Sequence, residues 1–247
     1  MRSPLLVLAR VESSLLLREP AAVLFTLALP LLLLSLNAAQ GNAPDPRLGG
    51  AGAIDVLVAG YLVYVMATSS LMNLAETLAD YRDRGVLRRM RVSPLRPWQV
   101  LGSHALTHLA MSLAGCALVV GLGLAAFDLR APADPLAASL AVLGSALAVL
   151  SLGFLLGAVL PTVRTTQAVA AALYFPSIFI SGALFPREAL PELAQRVGDL
   201  LPLTYAVAAV REAWTGGTID AGAFAVLGLT AVLATTAGVR WFRWDAR

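Results

Sequence analysis

Ile54-Asp-Val-Leu-Val-Ala-Gly-Tyr-Leu-Val-Tyr-Val-Met-Ala-Thr-Ser-Ser-Leu-Met-Asn-Leu-Ala75, followed at once by Glu76-Thr-Leu-Ala-Asp-Tyr-Arg-Asp-Arg-Gly-Val-Leu-Arg-Arg-Met-Arg91, decides the class of this chain. The first stretch is apolar over the about 20 residues that a helix needs to cross a hydrocarbon core. The second is the most strongly charged segment of the sequence, and a span that ends in a cluster of arginines reads as one leaving the bilayer on the cytoplasmic side.

Working outward, similar runs recur at Ala21–Leu36, Ser103–Phe127, Leu136–Leu160, Ala168–Leu184 and Ala221–Val239, which with Ile54–Ala75 gives six expected spans. Of the 247 residues 58% are hydrophobic and 13% charged, with a mean hydropathy of +0.77. A soluble domain carries about a quarter charged residues, so the bilayer is the solvent and residues 1–247 read as one membrane domain. Ala21–Leu36 followed by Asn37-Ala-Ala-Gln40 also has the outline of a signal-peptide core, but the residues ahead of it are too many for an n-region.

Arginine placement sets the expected orientation. The N-terminal segment, the second and fourth loops and the C-terminus hold 13 arginines, and the first, third and fifth loops hold 5. Both termini therefore belong in the cytoplasm, with the protein in the cytoplasmic membrane. Trp98, Trp241 and Trp244 sit beside arginines at inner boundaries, and Trp214 precedes the last span on the outer side. The net charge of +3 is too small and too divided for a nucleic-acid partner. The single Cys116 lies inside a span, which removes intrachain disulfides and cysteine-based metal sites.

Three segments between spans carry pattern. In residues 2–19, Arg10, Ser14 and Arg18 share one helical face and leucines the other, the signature of an interfacial helix ahead of Pro20. In the loop after the second span, Arg84, Arg88 and Arg91 share a face opposite Val86, Leu87 and Met90. That short amphipathic helix either meets anionic headgroups or docks a cytoplasmic partner. Residues 185–220 hold Pro186, Pro191 and Pro202 with leucines at helical spacing. They are too charged to span and too apolar for a free loop, so they read as two short helices dipping into the outer leaflet.

The loop pattern Glu76…Arg82-Asp-Arg-Gly85…Ser93-Pro94, together with Ser181-Gly-Ala-Leu-Phe-Pro186…Leu190-Pro191…Leu201-Pro202-Leu-Thr-Tyr205-Ala…Arg211, resembles the type-2 ABC exporter permeases, with the daunorubicin-resistance-like drug exporters as the nearest group. The resemblance covers nearly the whole chain. It implies an all-α integral membrane fold of six spans, an N-terminal interfacial helix, a coupling helix between spans 2 and 3, and a re-entrant outer hairpin between spans 5 and 6 that contains Pro186, Pro191, Pro202 and Tyr205. It implies an ATPase docking surface on Arg10, Arg82, Asp83, Arg84, Gly85, Val86, Leu87, Arg88, Met90 and Arg91. It also implies a second permease copy, with spans 2 and 5 at the dimer axis. The stripes Met66, Ser69, Asn73 on span 2 and Tyr174, Ser177, Ser181 on span 5 are then the expected cargo path. Hydrogen bonding between helices within one subunit is the competing reading of their hydroxyls. The chain has no phosphate-loop motif, so ATP and magnesium are expected on a separate ATPase and no cofactor or catalysis on this chain. Uncharged stripes favour an amphipathic drug, antibiotic or lipid-linked cargo over a sugar polymer.

Two other classes compete. An intramembrane serine hydrolase would pair Ser181 with His104 or His108, but Phe179 stands where a rhomboid-like site has glycine. A proton-coupled carrier would place several ionisable groups at mid-membrane, where only these histidines occur. His104, His108 and Ser112 share a helical face without a third metal ligand, so no metal site is expected. Gly153 and Gly157 form a small-xxx-small pair suited to close helix packing.

Overall fold

The computed structural model describes residues 20–39, 41–86, 97–185, 187, 190–217 and 220–242. Its elements are α1 (Pro20–Ala38), α2 (Ala53–Ala67), a π-helical segment (Thr68–Leu74), α3 (Ala75–Asp83), α4 (Pro97–Ala126), α5 (Pro135–Val159), α6 (Val163–Ile180), α7 (Glu192–Gly198), α8 (Pro202–Thr215) and α9 (Ala221–Arg240). No strand occurs among the described residues. Four helical stretches are long and apolar enough to cross a bilayer: Ala53–Asp83, Leu101–Ala126, Pro135–Val159 and Ala221–Arg240.

The continuous helix Ala53–Asp83 is the axis of the bundle. Its most apolar window is 94% buried, against 28% for Leu101–Ala126 and 22% for Ala221–Arg240. Its neighbours turn Leu118, Leu122, Leu140, Leu229 and Leu233 outward. An apolar exterior of this extent has no place in water and suits hydrocarbon. Glycines let the axis be gripped closely. A Cβ at Gly153 of α5 would lie 2.0 Å from the Ser70 carbonyl oxygen, and one at Gly157 3.0 Å from that of Ala75. The expected small-residue packing therefore has a defined partner, the π segment and the start of α3. A π segment has a wider turn than an α-helix and is frequent at functional sites.

Helix ends follow local chemistry. Asp134 caps α5 by accepting from the amides of Leu136 and Ala137, with Pro135 in the first turn. Thr162 caps α6 through the Thr165 amide. This moves α6 to Val163–Ile180 where the apolar run suggests Ala168–Leu184, because Arg164 and Gln167 join the helix despite their polarity. At the other end Gly182, at φ +86°, turns the chain. Ser181 is consequently the C-cap and Leu184 lies beyond the helix. The axis helix runs past Ala75 to Asp83 because Leu78, Ala79 and Arg82 on one side are buried.

After α6, the amphipathic α8 is laid into the bundle against α2, α5 and α9. It buries Leu203, Val207, Val210 and Trp214 there. The preceding α7 leaves Leu193 75% and nearby Leu200 82% exposed.

Candidate functional site

At the Arg82 end of the bundle, α3 delivers two charges to the short turn between α5 and α6. Arg82 is 2% exposed. It turns inward, its guanidinium donating to the Gly157 carbonyl at 3.0 Å and also to the Leu160 carbonyl. The Asp83 carboxylate accepts from the Val163 amide at 3.0 Å. One residue thus places positive charge on the last carbonyls of α5 and the next places negative charge on the first amide of α6, each complementing a helix dipole. About two turns further back on α3, Glu76 accepts from the Gln167 side-chain amide nitrogen at 2.7 Å.

Arg84, in contrast, is on the surface, 2.8 Å from Asp80 across one helical turn, with its side chain 72% exposed. Gly85, at φ +66°, closes the helix in a left-handed cap, and Val86 follows it half-buried. Of the ten expected docking residues, Arg82 is therefore spent inside the chain, and Asp83 is held to α6 although exposed. Arg10, Leu87, Arg88, Met90 and Arg91 lie outside the described residues, as does Pro186 of the expected hairpin.

Hydroxyls of the two stripes find partners within one chain, although not in each other. Thr68 of the π segment and Tyr174 of α6 share a hydrogen bond of 2.7 Å, and Tyr174 packs edge-on to Tyr64 at 6.2 Å. Ser69 donates to the His108 carbonyl of α4 at 3.2 Å. Met66 is 0% exposed, and Ser69, Tyr174, Ser177 and Ser181 are buried, while Asn73 is half-buried. Facing the π segment and α3, Ser103, His104, Thr107, His108 and Ser112 form a buried polar seam on α4, with the His104 ring edge-on to Tyr81 at 4.7 Å.

The hydrolase pairing fails on geometry. Ser181 lines a small cavity with Val56 and Leu57, near the start of the axis helix, whereas His104 touches Tyr81 near its end. Helical rise separates those two levels by about 35 Å, and His108, whose carbonyl meets Ser69, still lies about 18 Å along the axis helix from Leu57. The Ser181 hydroxyl donates to its own helix at the Ile178 carbonyl.

At the Asp55 end is a knot that the sequence reading did not find. Buried Asp55 accepts from the Gly52 amide, from the Asn42 side-chain nitrogen at 2.9 Å and from the Arg130 amide at 3.0 Å. Asn42 also receives the Ile54 amide, and Trp214 at the end of α8 donates to the Arg130 carbonyl at 3.1 Å. Two separate connections, α1–α2 and α4–α5, and α8 are thereby tied to the start of the axis helix. Asp55→Ala strips a helix cap and leaves buried donors unanswered, at about 2–4 kcal/mol by the usual magnitudes. A clearly lowered melting temperature of the purified protein is the expected outcome, with Asp55→Asn milder because one acceptor oxygen stays. The hairpin residues sit close by: Pro191 caps α7, Pro202 opens α8, and the Tyr205 hydroxyl donates to the Asp199 carbonyl at 2.8 Å.

Last, an open groove of about 1020 Å³ runs between α4, α5 and α9, lined by Leu101, Ala105, Leu150, Phe154 and Val232 with Arg240 at its rim.

A buried central helix, polar seams turned inward and an apolar exterior define a polytopic α-helical membrane protein. Residues 5–214 match the ABC-2 type transporter family, and the chain belongs to that family of transporter membrane subunits. It is 28% identical over 202 residues to Nodulation protein J of Neorhizobium galegae, covering 80% of this chain and 75% of that protein. A Bacillus subtilis protein named as a transport permease, YvfS, is 25% identical over 189 residues, 75% of each chain. ABC transporter G family member 20 of Dictyostelium discoideum is 23% identical over 159 residues, 64% of this chain and 22% of that one.

Proposed function

We propose that this permease is the membrane half of an exporter driven by a separate cytoplasmic ATPase, working as two copies in the cytoplasmic membrane with six spans each and both termini inside. The observation that carries this is the chain leaving α3 at Gly85 directly into an arginine-rich amphipathic stretch, on the side where 13 of the 18 arginines fall. That stretch, from Arg84 through Val86, Leu87, Arg88, Met90 and Arg91, is the proposed docking element, together with Arg10 of the N-terminal segment. α1 and α6 supply the two spans beyond the four long apolar ones, and α7 and α8 are the proposed hairpin on the outer leaflet.

The cargo we propose is an amphipathic small molecule or lipid-linked compound. In favour of it are the uncharged stripes on spans 2 and 5, and the mainly apolar groove of a volume usual for drug-sized ligands. Of the path residues, Asn73 is partly open in this conformation. Met66, Ser69, Tyr174, Ser177 and Ser181 are buried and line a path only when the axis helix parts from its neighbours, from α6 at Tyr174 and from α4 at Ser69. The exposed Phe175 and Phe179 of α6 are the face we assign to the second copy.

The topology is checked by thiol labelling, for which the buried Cys116 gives little background. Cysteines replacing Ala43 and Ala131 are expected to react with an impermeant reagent in intact cells, and cysteines replacing Val92 and Ala246 only after lysis. Labelling of Val92→Cys from outside rules out the six-span arrangement.

A further inference from the structure

We infer that Arg82 and Asp83 are a transmission link: they fasten the α5–α6 turn to the end of α3, so that displacement of the loop after Gly85 reaches both helices together. The inference rests on the docking reading above, since it needs a force to arrive at that loop.

The geometry is specific to this task. Between Val159 and Val163 the chain has only the turn Leu160–Thr162, and Pro161 within it has no amide to donate. Arg82 holds the near side of that turn by the carbonyls of Gly157 and Leu160, and Asp83 holds the far side by the Val163 amide. Burying a guanidinium costs free energy unless its donors are answered. Here Nη1 and Nη2 are answered by carbonyls at the negative end of a helix, which a planar fork reaches in pairs and an ammonium does not, while the buried Nε has no hydrogen-bond acceptor among the described residues. Gly157 serves twice: its carbonyl accepts from Arg82, and its missing side chain lets Ala75 and Leu78 of α3 come within about 3.0–3.1 Å of the Cβ position. Glu76 and Gln167 add a third tie between α3 and α6. A surface ion pair would slip under load, whereas this arrangement grips the backbone of two helices. The block formed in this way ends at the π segment, where the wider turn lets the axis helix change register. Arg82 and Asp83 are thus positioning residues that act through α5 and α6, and the docking surface proper begins at Arg84.

The test uses the permease with its ATPase partner in lipid vesicles and a single reporter cysteine replacing the exposed Ala168 of α6. Its reactivity with an impermeant thiol reagent is measured with and without a non-hydrolysable ATP analogue. In the otherwise unchanged complex the analogue is expected to alter the reactivity. In Asp83→Ala the ATPase is expected to co-purify as before while the response falls about five-fold or more, the size of a typical coupling loss. Asp83→Asn, whose side-chain oxygen still accepts from Val163, is expected to keep most of it. Arg82→Lys, which keeps the charge but not the fork, serves as the second variant and is expected to lose response without losing the ATPase. A full response in both Asp83→Ala and Arg82→Lys overturns the link and leaves docking intact. A complex that shows no response before any change to the link removes the docking reading and the link with it.

Discussion

Gly153→Ala is expected to lower the melting temperature of the detergent-purified protein by about 2–12 °C, the range that a 1–3 kcal/mol overpacking cost gives in a chain of this size. The added Cβ would stand 2.0 Å from the Ser70 carbonyl oxygen and 2.4 Å from its carbon. Both atoms are backbone, so no rotamer change relieves the clash. Either α5 withdraws from the axis helix or the π segment reshapes, and each loosens packing along the buried core. Gly60, whose Cβ would meet the Ala183 carbonyl oxygen at 2.3 Å, is expected to behave alike. Gly121 and Gly228 have no atom within 4 Å of that position, so alanine there should be near neutral or slightly stabilising through helix propensity. Heating followed by size-exclusion chromatography separates the two groups. A Gly153→Ala protein that melts with the unchanged one contradicts the close approach of α5.

The parts of the fold that follow from solvent were legible in the sequence. Long apolar runs interrupted by arginine-rich and acid-rich segments announce spans and their order, and Ala53–Asp83, Leu101–Ala126, Pro135–Val159 and Ala221–Arg240 emerge near the expected positions. The span at α6 was displaced because hydropathy penalises Arg164 and Gln167. The helix starts instead where Thr162 caps it, and it stops at the residue before a glycine with positive φ. A rule of caps and turns locates those ends better than a rule of apolar runs.

Side-chain roles were less legible, for a physical reason. An arginine at a span end is written identically whether it faces water, lipid or a neighbouring helix end. Arg82 and Arg84 are two residues apart, yet one is buried on the carbonyls of α5 and the other 72% exposed beside Asp80. Only the presence of α5 and α6 on one side of α3 tells them apart. The knot around Asp55 is of the same kind, since Asn42, Arg130 and Trp214 come from distant parts of the chain. Its one sequence signal is an acid at the edge of an apolar run, a position that demands a partner. The stripes on spans 2 and 5 were read as a path between copies. In the chain, Ser69 donates to the α4 backbone and Tyr174 bonds to Thr68, contacts within one subunit that period alone does not distinguish from a cargo-lining face.

Leu87→Asp addresses the central claim, that this chain is worked by an ATPase docked on its arginine-rich loop. Helical period puts Leu87 with Val86 and Met90 on the apolar face of the expected coupling helix, opposite Arg84, Arg88 and Arg91. If that face is seated in a groove of the ATPase, an aspartate there buries an unpaired charge, at several kcal/mol, enough to lower the affinity by orders of magnitude. Arg88→Gln removes one surface charge, worth about 1 kcal/mol near an anionic membrane, and is expected to weaken coupling only in part. If the loop serves topology and lipid contact alone, the order reverses and the arginines matter more than Leu87. The deciding measurement is co-purification of the ATPase with Leu87→Asp and Arg88→Gln permeases extracted from the membrane at equal expression. The account predicts that Leu87→Asp inserts normally and loses the ATPase while Arg88→Gln retains most of it. A Leu87→Asp permease that still carries its ATPase at the unchanged stoichiometry contradicts it.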